Sequence, residues 1–76
     1  MDRRIARILG DLFDVAPAQC VDSLSPKQVD GWDSVGHMTL VLTLEQTFSV
    51  EFAPEEIAEL SSVGQIKRML SRHNVE

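Results

Sequence analysis

Three residues with reactive side chains stand close together near the middle of the chain: Asp33, Ser34 and His37. A carboxylate, a hydroxyl and an imidazole are the parts of a nucleophile–base–acid relay. On a helix, His37 falls one turn beyond Ser34, so those two side chains are able to meet. Asp33 adjoins Ser34 and is poorly placed to orient the far side of His37. No set of donors for an oxyanion is evident, and 76 residues leave no room for a deep cleft that excludes water. Hydrolysis by these residues is therefore rejected, and no catalytic residue is assigned. Cys20, His37 and His73 lack metal-ligand spacing, so no metal site is expected.

Asp33 and Ser34 also have a purely structural reading. Both are good helix N-caps, because a short side-chain oxygen accepts from free N–H groups of the first turn. The spacing predicts helix two over Ser34 to Phe48. Ser34 then opens this helix after a long loop, where its hydroxyl faces solvent. On a helical wheel Leu40, Val41, Leu44 and Phe48 gather on one side, and Val35, Met38 and Leu42 on nearly the opposite side. One face must be core. The other needs a partner or a ligand, unless the preceding loop covers it. His37 shares a side with Leu44, so a largely packed histidine is expected.

The remaining elements are read from the same periodicity. Helix one spans Asp2 to Phe13, with Asp2 as cap and Ile5, Ile8, Leu9, Leu12 and Phe13 as one apolar stripe. Arg3, Arg4 and Arg7 occupy its solvated face. From Asp14 to Trp32 runs a loop interrupted by Pro17, Pro26 and Gly31. A loop this long needs anchors, and Val15, Val21, Leu24 and Val29 are the candidates. Ser25-Pro26-Lys27-Gln28 suits a single short turn. Val50 and Phe52 point inward from the next connection. Pro54 starts a short helix three ending at Leu60, with Glu55 and Glu56 in its first turn and Ile57 and Leu60 on its buried side. Ser62 and Gln65 form a capping box for helix four, whose stripe is Val63, Ile66, Met69 and Leu70. His73 belongs to a fraying tail. The expected fold is all-α: a small four-helix bundle with a long first loop and a short third helix, forming a single domain over residues 1–76.

Composition excludes several functions. Seven Lys and Arg against twelve Asp and Glu give a net charge of −5. No Lys or Arg occurs between Lys27 and Lys67, while that span holds Glu45, Glu55, Glu56 and other acids. Nucleic-acid binding is disfavoured, since phosphate contacts need a basic surface. An acidic middle suits docking to basic patches on partner proteins. One cysteine allows no internal disulfide, which points to a reducing, cytoplasmic setting. No signal-peptide core and no membrane-length apolar run are present.

The segment Gly31-Trp32-Asp33-Ser34-Val35, followed by Met38-Thr39-Leu40-Val41-Leu42, resembles the Asp-Ser-Leu segment of acyl carrier proteins and peptidyl carriers. The resemblance extends from about Ile5 to Leu70 and includes the Phe48-to-Leu60 spacing. Departures are Val35 where leucine is usual, Gly36 where an acid is frequent, and Thr39 where fatty-acid carriers often have glutamate. The resemblance implies a 4′-phosphopantetheine arm on Ser34, with Asp33 supporting its attachment. It implies a non-catalytic monomer that is itself the substrate of a phosphopantetheinyl transferase. It also implies partner enzymes that load and accept acyl or aminoacyl groups held as thioesters. Docking is expected through Val35, Met38, Leu42, Glu45, Glu55 and Glu56. The departures suggest a specialised pathway: polyketide, nonribosomal peptide or modified fatty acid. The alternative is an unmodified helical interaction module that docks through helix two.

Overall fold

The computed structural model describes residues 3–73. Among these residues the architecture is all-helical: α1 (Arg3–Phe13), α2 (Ser34–Phe48), α3 (Pro54–Glu59) and α4 (Val63–Arg72). The bundle expected from periodicity is present, and α2 has the expected bounds. Helix α3 stops one residue short, with Leu60 as its C-cap. The cap expected at Asp2 lies outside the described residues.

Each apolar stripe finds the core. Ile5, Ile8 and Leu9 of α1 meet Leu40, Val41, Leu44 and Phe48 of α2, closed over by Val63, Ile66, Met69 and Leu70 of α4. Leu12 and Phe13 are only partly buried. Two of the α1 arginines are simply solvated, but Arg4 sets its guanidinium 4.3 Å from the centre of the Phe48 ring, a cation–π contact. Ends are enforced by left-handed residues: Asp14 (φ 58°) just after α1 and Ser49 (φ 54°) as the C-cap of α2.

The long loop is built from a repeated local device. Pro17–Gln19 and Pro26–Gln28 are 3₁₀ turns. In each, proline fixes the first position and a glutamine folds back. Gln19 Oε1 accepts Ala16 N–H, and Gln28 Oε1 accepts Ser25 N–H, both at 3.0 Å. Helix α3 starts the same way, with Glu56 Oε1 accepting Ala53 N–H at 2.8 Å. The shared pattern is small residue, proline, any residue, glutamine or glutamate, which makes only the return half of a capping box: the side chain three residues on accepts the N-cap N–H, and the N-cap side chain accepts nothing. Only the second of the two loop turns is anticipated from the sequence.

Val15, Leu24 and Val29 anchor the loop as expected, but Val21 does not. Val21 is exposed, and its neighbour Cys20 takes the buried place, where burial pushes the thiol pKa up. The loop also finishes α4: Leu24 O accepts Val63 N–H and Asp22 O accepts Gly64 N–H, at 3.0 and 2.9 Å. These are orphan donors of a helix start. Ser62 Oγ satisfies a third, from Gln65 N–H at 3.2 Å.

His73 is not part of a fraying tail. It is the C-cap of α4, its ring meets Phe52 edge-on at 5.3 Å, and its Nε2 lies 3.0 Å from Glu56 Oε2. Phe52 is buried and Val50 half-buried. Six residues are too few for a helix to stand alone, so α3 depends on ties of this kind. Glu45 of α2 adds another, accepting Phe52 N–H at 2.9 Å.

Candidate functional site

The chain enters α2 through a turn at Gly31, whose φ of 90° suits glycine. The Gly31 carbonyl lies against the first turn of α2 at Gly36. A Cβ on Gly36 would overlap Gly31 O and press on the Phe13 ring. Glycine at position 36 is therefore explained by close backbone approach, a contact across the turn that spacing alone does not reveal.

Asp33 is extended and caps α2, its Oδ1 accepting Gly36 N–H at 2.9 Å. Ser34 is the first helical residue and is exposed. Among the described residues, none hydrogen-bonds its hydroxyl. Three rings gather at this turn. Trp32, only 3% exposed, stacks on Phe13 (5.8 Å between centres, 11° between planes), and the His37 ring lies edge to edge with it in nearly the same plane (6.4 Å, 14°). Trp32 Nε1–H donates to His37 Nδ1 at 3.0 Å, and His37 Nε2 lies 2.9 Å from Ile57 O. Both ring nitrogens are thus engaged away from Ser34, in line with rejecting a serine–histidine relay. Sequence reasoning places His37 as packed but misses this ring cluster. The signal was present, as Phe13 ends α1 and Trp32 precedes α2, yet the pairing itself is set by tertiary contact.

Beside Ser34 lies an open, mainly apolar groove of about 540 Å³, bordered by Pro26, Trp32, Asp33, His37 and Met38. Further along α2, Val35, Met38 and Leu42 are 77%, 48% and 55% exposed. The loop leaves them uncovered, which removes the reading in which both faces of α2 are internal. Thr39 and Thr43 extend the same character. Their hydroxyls bond back to Val35 O and Thr39 O at 3.2 and 2.8 Å, and are thus spent within their own helix.

The acidic residues divide differently from the sequence expectation. Glu45 is held by Phe52 N–H. Glu56 is held by Ala53 N–H and His73, and these contacts, the first above all, keep its carboxyl below the usual range. Glu55 remains exposed. Two of the three acids expected on a docking surface therefore have internal partners.

A family model described as a phosphopantetheine attachment site matches residues 3–70. The chain belongs to this family. Phosphopantetheine-attachment domains hold 4′-phosphopantetheine covalently and act as carriers. The residues around the start of α2 suit such a group. A hydroxyl stands in solvent, a phosphodiester there would meet the positive end of a 15-residue helix, and an apolar groove adjoins it. No described helix is long and apolar enough to cross a membrane.

Proposed function

We propose that Ser34 carries the 4′-phosphopantetheine arm and that this carrier domain serves a specialised pathway of polyketide, nonribosomal-peptide or modified fatty-acid type. The observation that supports attachment is the exposed Ser34 hydroxyl at the first position of α2, without a hydrogen-bond partner among the described residues, with the Asp33 carboxylate locked beside it. In the transfer, Ser34 Oγ bonds to the β-phosphorus of coenzyme A as adenosine 3′,5′-bisphosphate leaves. The hydroxyl proton passes to a base of the phosphopantetheinyl transferase. Asp33 uses Oδ1 for the cap, and its second oxygen stays available to the incoming enzyme. Once attached, the arm supplies a thiol that holds acyl or aminoacyl cargo as a thioester, whose carbonyl stays open to attack because sulfur donates weakly into it.

The specialised reading is supported by the outer face of α2. Val35, Met38 and Leu42 offer apolar anchors to the loading and acceptor enzymes, with exposed Glu55 of α3 as an acidic contact and Glu45 and Glu56 in lesser roles. The test is the intact mass of protein purified from its native host with the cargo still attached. The expected result is one phosphopantetheine-sized addition, mapped by fragmentation to Ser34, bearing a thioester whose mass names the cargo class. An addition on another residue overturns the assignment. No addition in any growth state would leave an unmodified module docking through α2.

A further inference from the structure

We infer that His37 is a positioning residue for modification at Ser34, acting as a neutral tether between the Trp32 turn and α3; this rests on the reading that Ser34 is the modified residue. The tautomer follows from the partners. An indole N–H only donates, so His37 Nδ1 must be the bare acceptor in its 3.0 Å bond with Trp32. A carbonyl only accepts, so His37 Nε2 must carry the proton it donates to Ile57 O at 2.9 Å. One form of the ring satisfies both: neutral, protonated on Nε2.

The two tethered points bracket Ser34. Trp32 precedes it by two residues and, through Asp33, sets how the chain enters α2. Ile57 lies near the end of α3, where the last carbonyls have no intrahelical partner. Ile57 O takes Leu60 N–H at 3.2 Å and the His37 ring. Because α3 has six residues, its placement against α2 is set by such cross-element bonds and by Leu60 burial, not by its own helicity. His37 also borders the groove beside Ser34. Without the ring's bonds, the Trp32 turn and α3 are free to part. Only a fraction of molecules would then present the start of α2 and α3 in their joint arrangement, and apparent affinity for an enzyme that reads both falls by that fraction. Chemistry inside the docked complex is unaffected, so the loss belongs in KM and not in kcat.

The experiment is steady-state loading with a broad-specificity phosphopantetheinyl transferase, Mg²⁺ and coenzyme A, with Trp32 fluorescence read on the same samples. His37→Ala should raise KM for the domain by about fivefold or more, with kcat within about twofold. His37→Asn places an amide oxygen near the Nδ1 position and should recover the Trp32 bond. His37→Gln places an amide nitrogen near Nε2 and should recover the Ile57 bond. Each should restore part of KM, and only His37→Asn should keep the parent Trp32 emission. Met69→Ala, a buried change on α4, is the control for lost stability and should leave KM unchanged well below its melting temperature. Equal KM for parent and His37→Ala overturns the inference, as does a KM that tracks melting temperature through Met69→Ala. If the parent never loads, the attachment reading falls and this inference with it; if the parent loads while His37→Ala behaves identically, this inference alone falls.

Discussion

Helices α1 and α2 pack against each other, yet they are written in different ways. In α1 every strongly apolar residue turns inward or lies at the margin, and Arg3, Arg4, Arg7 and Asp11 take the solvent side. In α2 the inward set of Leu40, Val41, Leu44 and Phe48 is matched by Val35, Met38 and Leu42 on the outside. Folding accounts for all of α1 and for half of α2. Apolar side chains grouped on one exposed face contribute nothing to a monomer's stability and mark an interaction surface. The difference separates residues that hold the fold from residues left open to solvent, although leucine and valine occur in both sets.

The sharpest break of this comparison is a pair two residues apart. Leu44→Ala should cost about 2–5 kcal/mol, from lost transfer energy plus a cavity. Leu42→Ala should stay within about 0.5 kcal/mol, as a surface change. Urea unfolding of both variants checks it, and equal losses would mean the two faces are not distinct. Next in size is Gly36→Ala. In an exposed helix that change gains about 1 kcal/mol. Here the new methyl meets Gly31 O and the Phe13 ring, and overpacking of this kind typically costs about 1–3 kcal/mol. Net destabilisation together with altered Trp32 fluorescence is expected; a net gain would show that the turn moves aside freely.

Smaller is the cap. Asp33→Ala should lose about 1 kcal/mol, whereas Asp33→Asn keeps an accepting oxygen and hence the fold. Circular dichroism and loading rate, measured on Asp33→Asn, separate the two roles: an intact helix with slower loading is expected, and equal loading would reduce Asp33 to a cap.

Acid sensitivity follows from two carboxyls. Ala53 N–H and then His73 lower the Glu56 pKa, and the Lys67 hydrogen bond and charge lower that of Asp22. A carboxyl depressed in the folded state contributes stability that is present above its unfolded value and lost as pH falls through the folded value. Melting temperature should therefore fall below the ordinary carboxylate range of about 4, and Glu56→Gln or Asp22→Asn should flatten that fall. Thermal melts across pH check the slope.

The smallest effect on stability, with the largest on partners, is Met38→Glu. It should leave folding and Ser34 loading intact yet disrupt delivery to a cognate enzyme more than Glu45→Gln. Apolar burial, worth roughly 25 cal/mol per Å², is little screened by salt, unlike exposed charge pairs. Affinities at low and high salt decide it. A steep salt loss with a larger effect at Glu45 would restore an acidic docking mode and remove the support for a specialised pathway.

Periodic elements were legible in the sequence because their signal is local. Asp33-Ser34 and the double stripe define α2, and the core residues of α4 follow from spacing alone. What escaped is non-local. Cys20 replaces Val21 in the core because a loop without periodicity does not say which neighbour turns inward. Gly36 is explained only by a carbonyl five residues earlier. His73 reads as a tail until Phe52 and Glu56 are brought to it. Glu45 reads as a surface acid because its backbone partner, Phe52 N–H, belongs to a connection whose path the sequence does not specify, and the tie of Glu56 to His73 likewise needs the fold, although its bond to Ala53 N–H is local.

The central claim is that Ser34 is the attachment point, and it is tested most directly by incubating parent and Ser34→Ala with transferase, Mg²⁺ and coenzyme A and weighing both intact. The expected result is one arm on every parent molecule and none on Ser34→Ala, with identical circular dichroism. Modification of the alanine variant, or a parent that stays unmodified under several transferases, would contradict it.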